Sequence, residues 1–124
     1  KIQYIKKGAK KDFIIIDAGM NDFMRPALYD AVHKIIPIRK SKSKLKGTIE
    51  FVGPICESTC KFGSYKNYQK MSENDFVAIT NVGAYGSSLS SNYNSRPLIA
   101  ELLVNKNKIK YIRKKQDLLK LINS

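Results

Sequence analysis

Apolar residues in this chain come in short runs, and each run is cut off by glycine, proline or a polar cluster. Phe13, Ile14, Ile15 and Ile16 stop at Asp17 and Gly19, residues 48–52 stop at Gly53 and Pro54, and residues 75–82 stop at Gly83. Runs of this length suit strands, and the breakers between them suit turns. The spacing also predicts strands over 1–7 and 34–38, and a hairpin in which 98–104 and 108–113 flank Asn105, Lys106 and Asn107. Ile109 and Tyr111 alternate with charges, as a half-buried strand should. Two short helices are expected. One covers 24–33, with Asp22 as N-cap and Pro26 in the first turn. The other covers 117–122, with Leu118, Leu119 and Ile122 on one face. The fold class that follows is mainly β, a barrel or sandwich with short helices. The 124 residues make one domain, with no internal repeat.

No apolar run nears the roughly 18 residues of a membrane-spanning helix. The first residues lack a signal-peptide core and do not include Met, so the chain reads as an internal piece of a longer protein. The net charge is +13, which raises binding to nucleic acid as one reading. Only four of the 23 basic residues are arginines, the residue that reads bases through its bidentate fork. A lysine-, isoleucine- and asparagine-rich composition is the plainer source of the charge. The Lys- and Ser-rich stretch 39–47 reads as a solvated loop. Two cysteines, Cys56 and Cys60, make no disulfide framework, and one histidine, His33, leaves a four-ligand zinc site out of reach. A reduced, cytoplasmic setting is the simplest inference.

Three segments break the strand pattern with chemistry-bearing residues. In GMNDFMRPALYDAVH (19–33), Arg25 and Tyr29 stand four apart and share a face if helical. Together they can grip a carboxylate; alternatively, a surface arginine stacks on a core tyrosine. In GPICES (53–58), Cys56 follows a strand end, where a neutral thiol can donate a proton, and Glu57 can pair with an ammonium. The other reading is an inert cysteine beside a solvated glutamate. In GAYGSSLSSNYNSRP (83–97), Gly83 and Gly86 flank Tyr85, and hydroxyls and amides follow. That segment can bind phosphate through its donors or be a polar loop without a ligand. It matches neither a P-loop nor a dinucleotide fingerprint.

These three motifs, in this order, resemble diaminopimelate decarboxylase, a fold-type III pyridoxal-phosphate enzyme family related to ornithine and arginine decarboxylases. The resemblance spans residues 13–113. It implies the C-terminal β-domain, Greek-key-like, of a two-domain protomer whose (β/α)₈ barrel, carrying the Schiff-base lysine, is absent from this chain. It also implies a head-to-tail homodimer with active sites shared between subunits, and neither nucleic acid nor membrane as partner. Carried over residue by residue, Arg25 and Tyr29 hold the distal carboxylate of meso-diaminopimelate. Cys56 is the proton donor, Glu57 meets the distal amino group, and Tyr85 touches both substrate and the pyridoxal 5′-phosphate cofactor. The isolated chain is expected to be inactive. Thr59 and Cys60 stand where the family continues with Gly-Asp, and Val32 replaces an aromatic before His33. Cys60 is then expected to be an incidental thiol, with a Cys56–Cys60 disulfide as the alternative. A basic nucleic-acid module and a decarboxylase for another basic amino acid are the competing readings.

Overall fold

A computed structural model describes residues 1–123. Among these residues, eight strands form three sheets. The largest is four-stranded, built from β1 (Ile2–Lys6), β2 (Asp12–Ile16), β4 (Thr48–Val52) and β5 (Lys61–Lys66), in the order β1-β2-β4-β5. The β1–β2 and β4–β5 pairs are antiparallel, whereas β2 and β4 run parallel. The chain between β2 and β4 contains a short helix, α1 (Arg25–Tyr29), and strand β3 (Ile35–Pro37), which pairs antiparallel with β6 (Val77–Ile79). Strands β7 (Glu101–Asn105) and β8 (Lys108–Arg113) form the expected hairpin. Asn105 pairs with Lys108, so the turn is the two residues Lys106 and Asn107. The fold is mainly β with short helices, and the three sheets remain open rather than closing into a barrel.

Period-two alternation explains the core. Ile14 and Ile16 on β2 and Ile49 and Phe51 on β4 are buried, while their neighbours Phe13, Ile15 and Val52 are only partly covered. Ile2, Phe62, Ile35, Phe23 and Met71 complete the cluster. Edge-to-face contacts of Phe51 with Tyr65 and Tyr68, at 5.7 and 5.2 Å, seal it towards β3. Both phenols then bind the β3 backbone. Tyr65 accepts from the Ile35 N–H and donates to the His33 carbonyl, and Tyr68 donates to the Ile35 carbonyl. Burial pushes the Tyr68 phenol up to about 12, so it stays a neutral donor.

Several expectations change. Helix α1 covers five residues rather than ten, because Asp30 ends it in the left-handed conformation (φ 51°). Asp22 does not cap it; the N-cap position is Met24, without a side-chain bond. Strand β5 went unforeseen, and residues 83–97 are not a plain loop. They contain helix α2 (Gly83–Ser88) and a 3-10 turn (Tyr93–Ser95). The last helix, α3 (Leu118–Ile122), starts as expected, with Asp117 accepting from the Leu119 N–H at 2.9 Å. The hairpin is not half-buried: Leu102, Leu103, Val104, Ile109, Tyr111 and Ile112 are all exposed.

Candidate functional site

The loop at 53–60 leaves β4 and returns to β5 around Cys60. Gly53 N–H donates to the Cys60 carbonyl at 2.8 Å, and Cys60 N–H donates to the Glu57 carbonyl at 3.0 Å. Ile55 and Cys60 are buried beneath the loop, which leaves Cys56, Glu57, Ser58 and Thr59 exposed. Both cysteines are free thiols, so the disulfide alternative is not realised. Nor is Cys60 incidental. Its Sγ accepts the Met20 N–H at 3.3 Å and ties this loop to the turn after β2. Beside Cys56 and Glu57 lies an open cavity of about 420 Å³, lined also by Phe13, Ile15 and Val52 from the sheet.

Close packing fixes a glycine at the loop's root. A methyl group at Gly53 would lie 2.4 Å from Cys60 Sγ and 2.7 Å from the Ala18 carbonyl oxygen. Gly53→Ala is therefore expected to destabilise the full-length protein by about 1–3 kcal/mol, the usual cost of overpacking. A thermal melt checks this; an unchanged midpoint would show that the loop shifts freely.

The turn at 19–22 is the hub of the site. Asp22 accepts from the Gly19 N–H at 2.8 Å and from the Asn21 side-chain amide at 3.1 Å, and lies 3.8 Å from the Arg96 guanidinium. Asn21, fully buried, accepts the Ser91 N–H on its carbonyl at 2.9 Å. Phe23 packs against α2 at Gly86, where an added Cβ would sit 3.4 Å from the ring. Gly86 is thus a packing residue, and Gly83 starts the helix at a left-handed φ of 56°. Of the two, only Gly86 is closed off by packing; nothing lies within 4 Å of a Cβ added at Gly83. The polar side chains downstream are largely spent on the fold. Ser87 donates to Glu101, Ser90 to the Ser87 carbonyl, and Asn92 to the Arg96 carbonyl and Gln116.

Two groups of candidate side chains result. Arg25, from the start of α1, lies 5.9 Å from the Tyr29 ring and 5.6 Å from the Tyr85 ring on α2. The stacked reading of Arg25 and Tyr29 is therefore realised, but on the surface: Tyr29 and Tyr85 are 62% and 65% exposed. An arginine flanked by two phenols can take a carboxylate in its fork while the hydroxyls donate. No hydrogen bond among the described residues uses the Tyr85 hydroxyl, so it is open to an anionic group such as a phosphate. The second group is Cys56 and Glu57, joined by a residue the sequence reading passed over. Tyr93 donates its hydroxyl to Glu57 Oε1 at 2.5 Å. This bond, more than the nearby charge, holds the Tyr93 phenol above its usual range.

Residues 1–83 match the family described as pyridoxal-dependent decarboxylase, C-terminal sheet domain, and the chain belongs to that family. Within it, the chain is similar to diaminopimelate decarboxylases. It is 46% identical over 118 residues to that of Helicobacter pylori and 40% identical over 117 residues to that of Aquifex aeolicus, covering 95% and 94% of this chain. It spans only 29% and 28% of those relatives. Diaminopimelate decarboxylase from M. jannaschii in co-complex with L-lysine superposes with a TM-score of 0.89 at 37% identity, over 98% of this chain and 28% of that one. The Helicobacter pylori enzyme complexed with L-lysine gives 0.84 at 44% identity, over 98% and 29%.

Proposed function

We propose that residues 1–124 are the C-terminal β-domain of a pyridoxal-phosphate-dependent decarboxylase that converts meso-2,6-diaminopimelate to L-lysine and CO₂. The observation that carries this reading is the likeness, over 98% of the chain, to diaminopimelate decarboxylases crystallised with L-lysine. L-Lysine is diaminopimelate less one carboxyl group, the product of the proposed reaction.

In this reading the domain supplies contacts and a proton. Arg25 clamps the distal carboxylate in its fork, and Tyr29 donates to it. Glu57 takes the distal ammonium, and the Tyr85 hydroxyl donates to the cofactor phosphate and meets the substrate. When bound, pyridoxal phosphate takes up the electron pair released as CO₂ departs. The Cys56 Sγ–H then hands its proton to the carbon left behind, and its exposed position lets it reach there. The lysine that holds the cofactor belongs to the part of the enzyme outside this chain. Arg25, Tyr29 and Tyr85 form one group and Cys56 and Glu57 another, which suits active sites shared across a head-to-tail homodimer. The enzyme would work in the cytoplasm; among the described residues no helix is long and apolar enough to cross a membrane.

The test is complementation in trans. The barrel half is expressed separately and mixed with this chain, and CO₂ release from meso-diaminopimelate is assayed with pyridoxal phosphate. Activity from the mixture and none from either half is the expected result. No turnover from associated, folded halves would refute the reading.

A further inference from the structure

We propose that Tyr93 is a positioning residue for Glu57, holding one carboxylate oxygen so that the other faces the substrate's distal ammonium. The inference deepens the proposed function and rests on its reading of Glu57.

Glu57 sits at the exposed tip of the 53–60 loop, and an exposed glutamate samples many rotamers. Fixing one costs side-chain entropy, which a ligand would otherwise have to offset on binding. Tyr93 settles the conformation beforehand. Its hydroxyl reaches Glu57 Oε1 across 36 residues of sequence at 2.5 Å. A phenol suits the task because it donates without neutralising the carboxylate. Lysine or arginine in the same place would compete with the substrate's ammonium. With Oε1 engaged by Tyr93, Oε2 keeps its lone pairs and the group keeps its negative charge. A phenol stays a protonated donor throughout the neutral range, and the bond to Glu57 raises its pKa further.

The segment that presents Tyr93 is built to hold still. Its 3-10 turn passes through left-handed conformations at Asn94 (φ 59°) and Ser95 (φ 55°), which single out one path for the backbone. The turn is tied down on both sides. Before it, Ser91 N–H donates to the Asn21 carbonyl at 2.9 Å, and Asn92 donates to Gln116 at 2.5 Å. After it, the Arg96 guanidinium donates to the Asp17 carbonyl at 2.7 Å. The Glu57 loop is tied to the same hub through Met20 N–H and Cys60 Sγ. Donor and acceptor thus stand on one common base, and the hydrogen bond between them loses little to motion.

The test uses the full-length holoenzyme. Tyr93→Phe removes only the hydroxyl of a half-exposed ring, so the variant folds. It is expected to raise KM for meso-diaminopimelate about tenfold, the effect of one hydrogen bond to a charged group, with kcat little changed. In a Glu57→Gln background the same substitution is expected to add nothing further to KM. A second measurement is independent of turnover. In protein carrying ¹³C-labelled tyrosine, the Tyr93 ring-carbon resonance, assigned by its loss in Tyr93→Phe, should titrate above the ordinary tyrosine range. It should return to that range in Glu57→Gln. If Glu57→Gln raises KM but Tyr93→Phe does not, the positioning role is overturned and the proposed function stands. Equal losses from Tyr93→Phe in both backgrounds would also overturn it, showing a role confined to the fold. If Glu57→Gln leaves KM unchanged, the assignment of Glu57 fails, and this inference with it.

Discussion

Replacing Cys56 by alanine is expected to lower kcat for diaminopimelate decarboxylation in the full-length holoenzyme by about 10²- to 10⁴-fold, the usual contribution of a positioned general acid. The fold should be unaffected, because Cys56 is exposed and neither accepts nor donates a side-chain bond among the described residues. Cys60→Ala should show the reverse pattern. That thiol is 3% exposed and accepts the Met20 N–H. Its loss leaves a small cavity and an orphaned donor, at a cost of about 1–3 kcal/mol of stability. The pair of variants separates chemistry from scaffolding within one loop. Rapid-quench measurement of kcat and a thermal melt on each protein decide the matter. A Cys56→Ala enzyme with near-normal kcat would remove this thiol from the reaction.

The contrast between the two cysteines also shows what the sequence could and could not disclose. Strands β1, β2 and β4 were legible because short apolar runs and their breakers coincide there; Ile14, Ile16, Ile49 and Phe51 all fell inside. The hairpin was legible from its turn residues. Strand β5 was not, because Gly63 interrupts it at a φ of 151° and its apolar positions, Phe62 and Tyr65, fall out of step with a period of two. Helix α2 is rich in glycine and serine, which are poor helix formers, and forms in the contact between Gly86 and Phe23. Helix α1 carries a helical pattern past Tyr29, but Asp30 adopts the left-handed conformation and stops it. At the site, Arg25, Tyr29, Cys56, Glu57 and Tyr85 were all singled out from three motifs, and the structure splits them into two groups. The Tyr93–Glu57 bond and the seat of Cys60 went unseen because each depends on a contact 36 or 40 residues away in the chain. Local pattern carries no information at that range.

In the proposed reaction Arg25 is expected to govern the second large effect, on substrate choice. Of the basic amino acids considered, only diaminopimelate offers a carboxylate at its distal end, and the structure sets Arg25 between two exposed phenols. Arg25→Met keeps an apolar stem of similar length but removes the fork. It is expected to cut kcat/KM for diaminopimelate by about 10- to 150-fold, corresponding to hydrogen bonds to a charged group worth some 1.5–3 kcal/mol. Any activity on L-lysine or L-ornithine should not fall with it, because neither has a distal carboxylate for Arg25 to hold. The ratio of the two specificity constants is therefore the readout, and it is insensitive to general damage. Arg25→Lys should recover only part of the loss, since an ammonium supplies charge without the bidentate geometry. Equal losses on all substrates would mean that Arg25 supports α1 and its surroundings instead, and the distal carboxylate would need another partner.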